Sequence, residues 1–169
     1  MVANPPSALD DPLDGLAGVH TGLRGVCALL ERLAGGEAVE AAERRAAADF
    51  LRGVLAVHLR DEEEDLFPLL RRRCTEEDEI GLILSLLGAE HDQEAAHAAR
   101  VADLLERDTL TPRCRRTLLA FAREQRQHVA IEDGVVLPMA RLRLGRRDLA
   151  TLRAGMAARR AEPTPNLAR

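Results

Sequence analysis

Apolar residues recur at steps of three and four along most of the chain, the spacing that gathers them on one face of an α-helix. The first stripe is Leu13, Leu16, His20, Leu23, Cys27 and Leu30. It predicts a helix over about 12–34, entered at Asp11 with Pro12 in its first turn and stopped by Gly35 and Gly36. A second seam, Leu51, Val54, Leu55, His58, Glu62, Leu66 and Leu69, lies in a helix predicted from about Glu37 to Arg72. Pro68 falls inside it and should kink or loosen the last turns, because proline lacks an N–H and crowds the turn before it. The third seam runs Ile80, Leu84, Leu87, His91, Ala95, Ala98, Ala102 and Leu105, behind a capping signal at Thr75 and Asp78. Thr111 and Pro112 open a fourth helix to about 144. Its inward face carries Leu118, Phe121, Gln125, His128, Glu132, Val135, Met139 and Leu142. Asp148 is read as the cap of a short fifth helix ending near Arg160.

Four long helices joined by short loops predict an all-α fold, an up-down-up-down antiparallel four-helix bundle with a short C-terminal fifth helix. The expected domain plan is a flexible N-terminal tail over 1–11, the bundle over 12–145, and a short helix with a disordered tail over 146–169.

Composition supports a helical domain. Ala, Leu, Arg and Glu dominate, Tyr and Trp are absent, and 169 residues suffice for a real core. The formal net charge of −4 is modest and basic residues alternate with acidic ones, which gives no support to a nucleic-acid surface. The longest apolar run, Ile80 to Ala89, is too short to span a membrane. The N-terminal residues show neither a basic nor an apolar signal region, so the expected location is the cytoplasm. Cys27, Cys74 and Cys114 are odd in number and widely spaced, as in a reducing compartment. Cys27 reads first as a small buried apolar residue, with a redox or metal-proximal role as the alternative.

The chemistry is carried by a duplication. His58 to Pro68, His-Leu-Arg-Asp-Glu-Glu-Glu-Asp-Leu-Phe-Pro, recurs as His128 to Pro138, His-Val-Ala-Ile-Glu-Asp-Gly-Val-Val-Leu-Pro. In both copies the Glu follows the His by four residues, which places the pair on one helical face. His20 stands 38 residues before His58, and His91 stands 37 before His128, so the order His, then His-x-x-x-Glu, is written twice. A single histidine in such a seam is ordinarily a satisfied core residue. Four histidines and two glutamates at duplicated spacing make a metal site the better reading. Imidazole and carboxylate in a bundle core suit iron, manganese or zinc. Two cations, each held by two of His20, His58, His91 and His128 with Glu62 and Glu132 between them, would have coordination positions left for a small molecule. Glu63, Glu64 and Asp65 are expected to be solvated. Glu94 and Gln125 each lie three residues from a candidate His and read either as partners orienting an imidazole or as core-edge polar residues. His97 is expected at the surface.

The set His20, His58-x-x-x-Glu62, His91 and His128-x-x-x-Glu132, with Leu-Phe-Pro and Val-Leu-Pro after the two pairs, resembles the hemerythrin-like family of HHE cation-binding domains over about 12–144. The resemblance implies a non-heme di-iron centre with a bridging oxide or hydroxide, the four histidines as terminal ligands and both glutamates as bridges. Manganese or zinc stands behind iron. It also implies a small diatomic ligand or peroxide as the molecule bound, in an oxidant-binding or oxidant-consuming protein of the stress-response kind. Sensing of iron, oxygen or redox state through a protein partner, and iron–sulfur repair, are the alternatives. A homodimer is a further expectation. Oxygen-carrying members have an additional His one turn after the third-helix His, where this chain has Ala95, so the centre resembles the symmetric four-His, two-Glu type. Ferritin-like centres are disfavoured, because they use Glu-x-x-His motifs with more carboxylates.

Overall fold

The computed structural model describes residues 11–162. The expected N-terminal tail, apart from Asp11, and the last residues of the C-terminal tail lie outside that range. Among the described residues the structure is helical, with no strand. Helix α1 is Pro12–Gly35. Asp11 Oδ1 accepts from the Leu13 N–H at 2.9 Å, and Gly36, at φ +92°, ends the helix in the left-handed conformation that glycine tolerates.

Helix α2 spans 41–73 and begins four residues later than Glu37. The Glu37 N–H donates to the Arg32 carbonyl at 3.1 Å, so Glu37 belongs to the turn that closes α1. Helix α3 is Ile80–Leu105. The Thr75 and Asp78 box forms as expected, with the Thr75 N–H donating to Asp78 Oδ2 at 2.8 Å, but it caps a separate 3₁₀ turn, Glu76–Asp78. Glu79, at φ +51°, separates that turn from α3. Helix α4 spans 112–143, with the Thr111 hydroxyl accepting from the Cys114 N–H at 3.2 Å. Helix α5 is Arg146–Ala161, and Asp148 sits inside its first turn, accepting from the Gly145 N–H at 3.0 Å.

Helices α2 and α4 are interrupted by π-helical turns at Glu62–Leu66 and Glu132–Val136, where the Phe67 and Leu137 N–H groups donate to the Glu62 and Glu132 carbonyls. The disturbance expected near Pro68 therefore begins at Glu62 itself. Pro68 and Pro138 cannot donate to the carbonyls four residues before them, and each helix absorbs that loss in the wider turn. A third π turn, Phe50–Val54, has no proline after it.

Each π turn adds a residue and moves the inward face on by one position. Val136 and Ala140 are buried in α4, whereas the predicted Val135 and Leu142 are exposed and Met139 is only partly covered. In α3 the predicted Ala95 is exposed and Glu94 is buried in its place.

The core forms two apolar clusters. One holds Leu23, Cys27 and Leu30 of α1, Leu51 and Leu55 of α2, Val101 and Leu105 of α3, and Leu118 and Phe121 of α4. The other holds Leu13 and Leu16, Phe67 and Leu70, Leu84 and Leu87, and Leu137 and Ala140, with Leu152 and Met156 of α5. In every long helix the candidate His and Glu residues fall at or beside the sequence interval between the two clusters. Helix α5 is further tied to α2 by Arg159, whose Nε donates to Asp61 Oδ1 at 2.7 Å and whose other nitrogens reach Glu64 and Asp65. The five helices are compatible with the expected four-helix bundle closed by a fifth.

Candidate metal centre

All six candidate residues are buried, and all six meet in one place: His20, His58, Glu62, His91, His128 and Glu132. They form two overlapping groups that could each hold a metal ion. One is His20, His58, Glu62 and Glu132, the other Glu62, His91, His128 and Glu132, and the ligand atoms in each group lie within 4.8 Å of one another. Both glutamates belong to both groups.

The imidazoles present their Nε2 atoms inward in pairs, His20 to His58 at 3.2 Å and His91 to His128 at 2.9 Å. Glu132 Oε1 lies 2.9 Å from His128 Nε2 and 3.8 Å from His91 Nε2, and its Oε2 lies 3.2 Å from His20 Nε2. Glu62 is more centrally placed, 3.6 Å from His58 Nε2, 3.7 Å from His91 Nε2 and 3.9 Å from His20 Nε2. Ligands about 2.0–2.1 Å from one cation and at right angles around it stand about 3 Å apart, so these separations suit donors sharing cations.

Orphaned atoms support the same fit. Neither oxygen of Glu62 has a hydrogen-bond partner, although the residue is wholly buried. A buried carboxylate without donors is costly unless it is neutralised or bound to a cation. Burial and the neighbouring Glu132 carboxylate push Glu62 well above the usual carboxylate range. Burial pushes Glu132 the same way, but the His128 hydrogen bond and the nearby His20 and His91 imidazoles overcome it and hold Glu132 low. His58 is pushed down to about 3 by burial and by the other histidines. Burial also acts to lower His128, yet the Glu132 hydrogen bond and charge, with Glu94 and Glu90, raise it to about 9.

Carboxylates outside the cluster orient three of the four imidazoles. His20 Nδ1 bonds Asp133 Oδ1 at 2.6 Å, His91 Nδ1 bonds Glu63 Oε1 at 2.8 Å, and His128 Nδ1 bonds Glu90 Oε2 at 2.8 Å. With Nδ1–H donating outward, Nε2 keeps its lone pair for the centre. Sequence reasoning missed these partners and placed Glu63 in a solvated run. Its carboxylate is half-covered because Glu62 faces the centre and the next position turns toward α3. Glu64 and Asp65, also expected to be solvated, are partly engaged by Arg159. The signal was present, since an acidic residue directly follows the Glu in both copies of the repeat.

Phe67 lies against His91, ring centroids 5.6 Å apart and nearly parallel. Glu94 and Gln125 are both buried, and the Glu94 oxygens and Gln125 Oε1 lack hydrogen-bond partners. Both line a groove of about 990 Å³ between α3 and α4 that also reaches His128. Burial raises Glu94 above its ordinary value. His97 is half-buried instead of exposed, its Nδ1 3.2 Å from Glu124 and its ring edge-on to Phe121. Cys27 is buried with its thiol pushed up to about 11 by burial, so it packs as a small apolar residue.

Among the described residues, no helix is long and apolar enough to cross a membrane. No curated protein and no solved structure is significantly similar to the chain. A family profile described as hemerythrin HHE cation binding domain matches residues 11–140. That match covers most of the chain and contains all six clustered residues, so the chain belongs to the hemerythrin HHE cation-binding domain family.

Proposed function

We propose that the chain holds two iron ions and uses them to bind or reduce a small oxidant, dioxygen, nitric oxide or peroxide. The observation that carries this reading is the pair of overlapping four-residue groups sharing Glu62 and Glu132. In it, His20 and His58 serve one position, His91 and His128 the other, and the two glutamates bridge them. Iron bound there would supply redox chemistry and Lewis acidity. The protein's part is to fix the imidazoles through Asp133, Glu63 and Glu90, to keep the glutamates dry, and to admit a small molecule beside His128 along the α3–α4 groove. An up-down-up-down helix order fits as well. Residues 13 and 16 of α1 and 80–87 of α3 meet one apolar cluster before the site, whereas α2 and α4 meet the other cluster first.

The test is metal content per chain after purification without oxygen, read with the absorption spectrum before and after exposure to air, nitric oxide or peroxide. With no Trp or Tyr in the sequence, the near-ultraviolet is almost clear for iron charge-transfer bands. Two irons per chain with bands that respond to one of these oxidants is the expected result. Zinc, or no metal and a silent spectrum, would refute it. Glu62→Ala removes a group shared by both positions and should abolish binding of the pair; retention of two ions would refute the bridging role.

One observation favours a regulatory use of the same centre. Arg159 of α5 is tied to Asp61, Glu64 and Asp65, the residues flanking Glu62. On this second reading, metal loss loosens α5 and exposes a surface for a protein partner. Limited proteolysis should then cut within 146–161 faster in the metal-free chain, and equal rates would exclude it.

A further inference from the structure

Aligning the two halves of the repeat sets His20 against His91 and His58-x-x-x-Glu62 against His128-x-x-x-Glu132. Two outer partners obey the symmetry. Asp133 follows Glu132 and bonds His20, while Glu63 follows Glu62 and bonds His91. The remaining pair breaks it. Glu90 directly precedes His91 and bonds His128 at 2.8 Å, whereas Val19 directly precedes His20 and His58 Nδ1 is buried with no partner.

Three more positions break the symmetry in the same sense. Glu94 corresponds to Leu23 and Gln125 to Leu55, both leucines buried. Arg24, which pairs with Asp133 at 2.5 Å, corresponds to Ala95. Around His91 and His128 there are thus three carboxylates, Glu63, Glu90 and Glu94, and among the described residues no arginine lies within ion-pair distance of them. Around His20 and His58 there is one, Asp133, offset by Arg24.

We propose that the two metal positions are inequivalent: the His91–His128 position fills first and keeps its ion, and the His20–His58 position is the exchangeable one. This rests on the two-metal reading above. An imidazole whose Nδ1–H donates to a carboxylate is locked in the tautomer that ligates through Nε2 and is a stronger donor, and loss of such a partner typically costs about 10–100-fold in metal affinity. His58 has no such partner. Glu90 is exposed enough for solvent to screen its charge, so its hydrogen bond to His128 and the buried Glu94 carry most of the difference.

The experiment is an anaerobic titration of the metal-free full-length chain with iron(II) against a competing chelator, counting ions per chain. The expected result is two affinities separated by about 10–100-fold, with a plateau at one retained ion. Glu90→Val copies the Val19 arrangement at an exposed site, so folding is not at stake, and it should weaken the tighter ion by about tenfold and shrink the gap. His58→Ala should keep the tight ion and His128→Ala should lose it. Two ions leaving the wild-type chain together, a tight ion unchanged in Glu90→Val, or the reverse pattern in the two alanine variants would each overturn the proposal. Failure of the two-metal reading is distinguishable, because the wild-type chain would then take up no second ion at any iron concentration, overturning both.

Discussion

Replacing Arg159 by methionine keeps an unbranched, flexible stem and removes the charge that holds α5 to α2. Arg159 is buried, and its main partner Asp61 is fully buried at 0 % exposure, 2.7 Å from Arg159 Nε. Removing one member of a buried ion pair costs about 3–5 kcal/mol, because the remaining charge is left without compensation. Two features place Arg159→Met near the lower end. Asp61 Oδ2 keeps the Arg160 guanidinium at 2.8 Å, and the bond to half-exposed Glu64 contributes little. The expected loss is therefore about 3 kcal/mol, read from urea unfolding of the metal-free chain by helical circular dichroism. The melting temperature should fall by about 6–12 °C for a protein of this size. Asp61→Asn combined with Arg159→Met should recover most of the loss, since the buried charge that has lost its main partner is then no longer present. A single-variant loss below about 1 kcal/mol, or no recovery in the double variant, would refute the reasoning.

Three further outcomes are expected. Phe67 is fully buried against His91, so Phe67→Ala should cost about 3–5 kcal/mol and weaken metal binding, with Phe67→Leu nearer wild type; denaturation and metal content read both. In the metal-free chain His128 is raised to about 9 from 6.5, so its contribution is full below about pH 6.5 and is lost as pH rises through 9. His58, lowered to about 3, has the opposite sign, its contribution lost as pH falls from about 6.5 toward 3. Melting curves across this range should show stability declining from pH 6.5 to 9, and a rise over that interval would contradict the His128 assignment. Metal uptake should run the other way, tightening as pH rises, because ligation displaces protons from the histidines; an equilibrium titration at two pH values decides it.

The helices and the six clustered residues were legible because both follow from periodicity. The stripe Leu13, Leu16, His20, Leu23, Cys27 and Leu30 is buried throughout, as regular α-helical spacing requires. Reading failed where the spacing stops being regular. Val135 and Leu142 were assigned inward on a uniform period, but the π turn at Glu132–Val136 hands the core to Val136 and Ala140. Ala95 is set inward by its four-residue step from His91, a spacing that does not register that Glu94 is the buried position beside the polar centre. The partners of the imidazoles were hidden for a different reason. Glu63 and Glu90 are exposed enough to look like ordinary surface acids, and only the approach of other helices gives them a histidine to bind.

The π turns also fix how much the chain can vary in length. Deleting a residue between Glu63 and Leu66 would remove the wide turn after Glu62, but it would rotate everything downstream by about 100° relative to Glu62. Phe67 and Leu70 would swing off the core while the upstream half still aimed at the centre. The same holds for Glu132 and the segment that delivers Leu137 and Ala140. Insertions and deletions should therefore be excluded between each glutamate and its proline, yet tolerated between α3 and α4, where a longer connection changes only the loop-closure entropy.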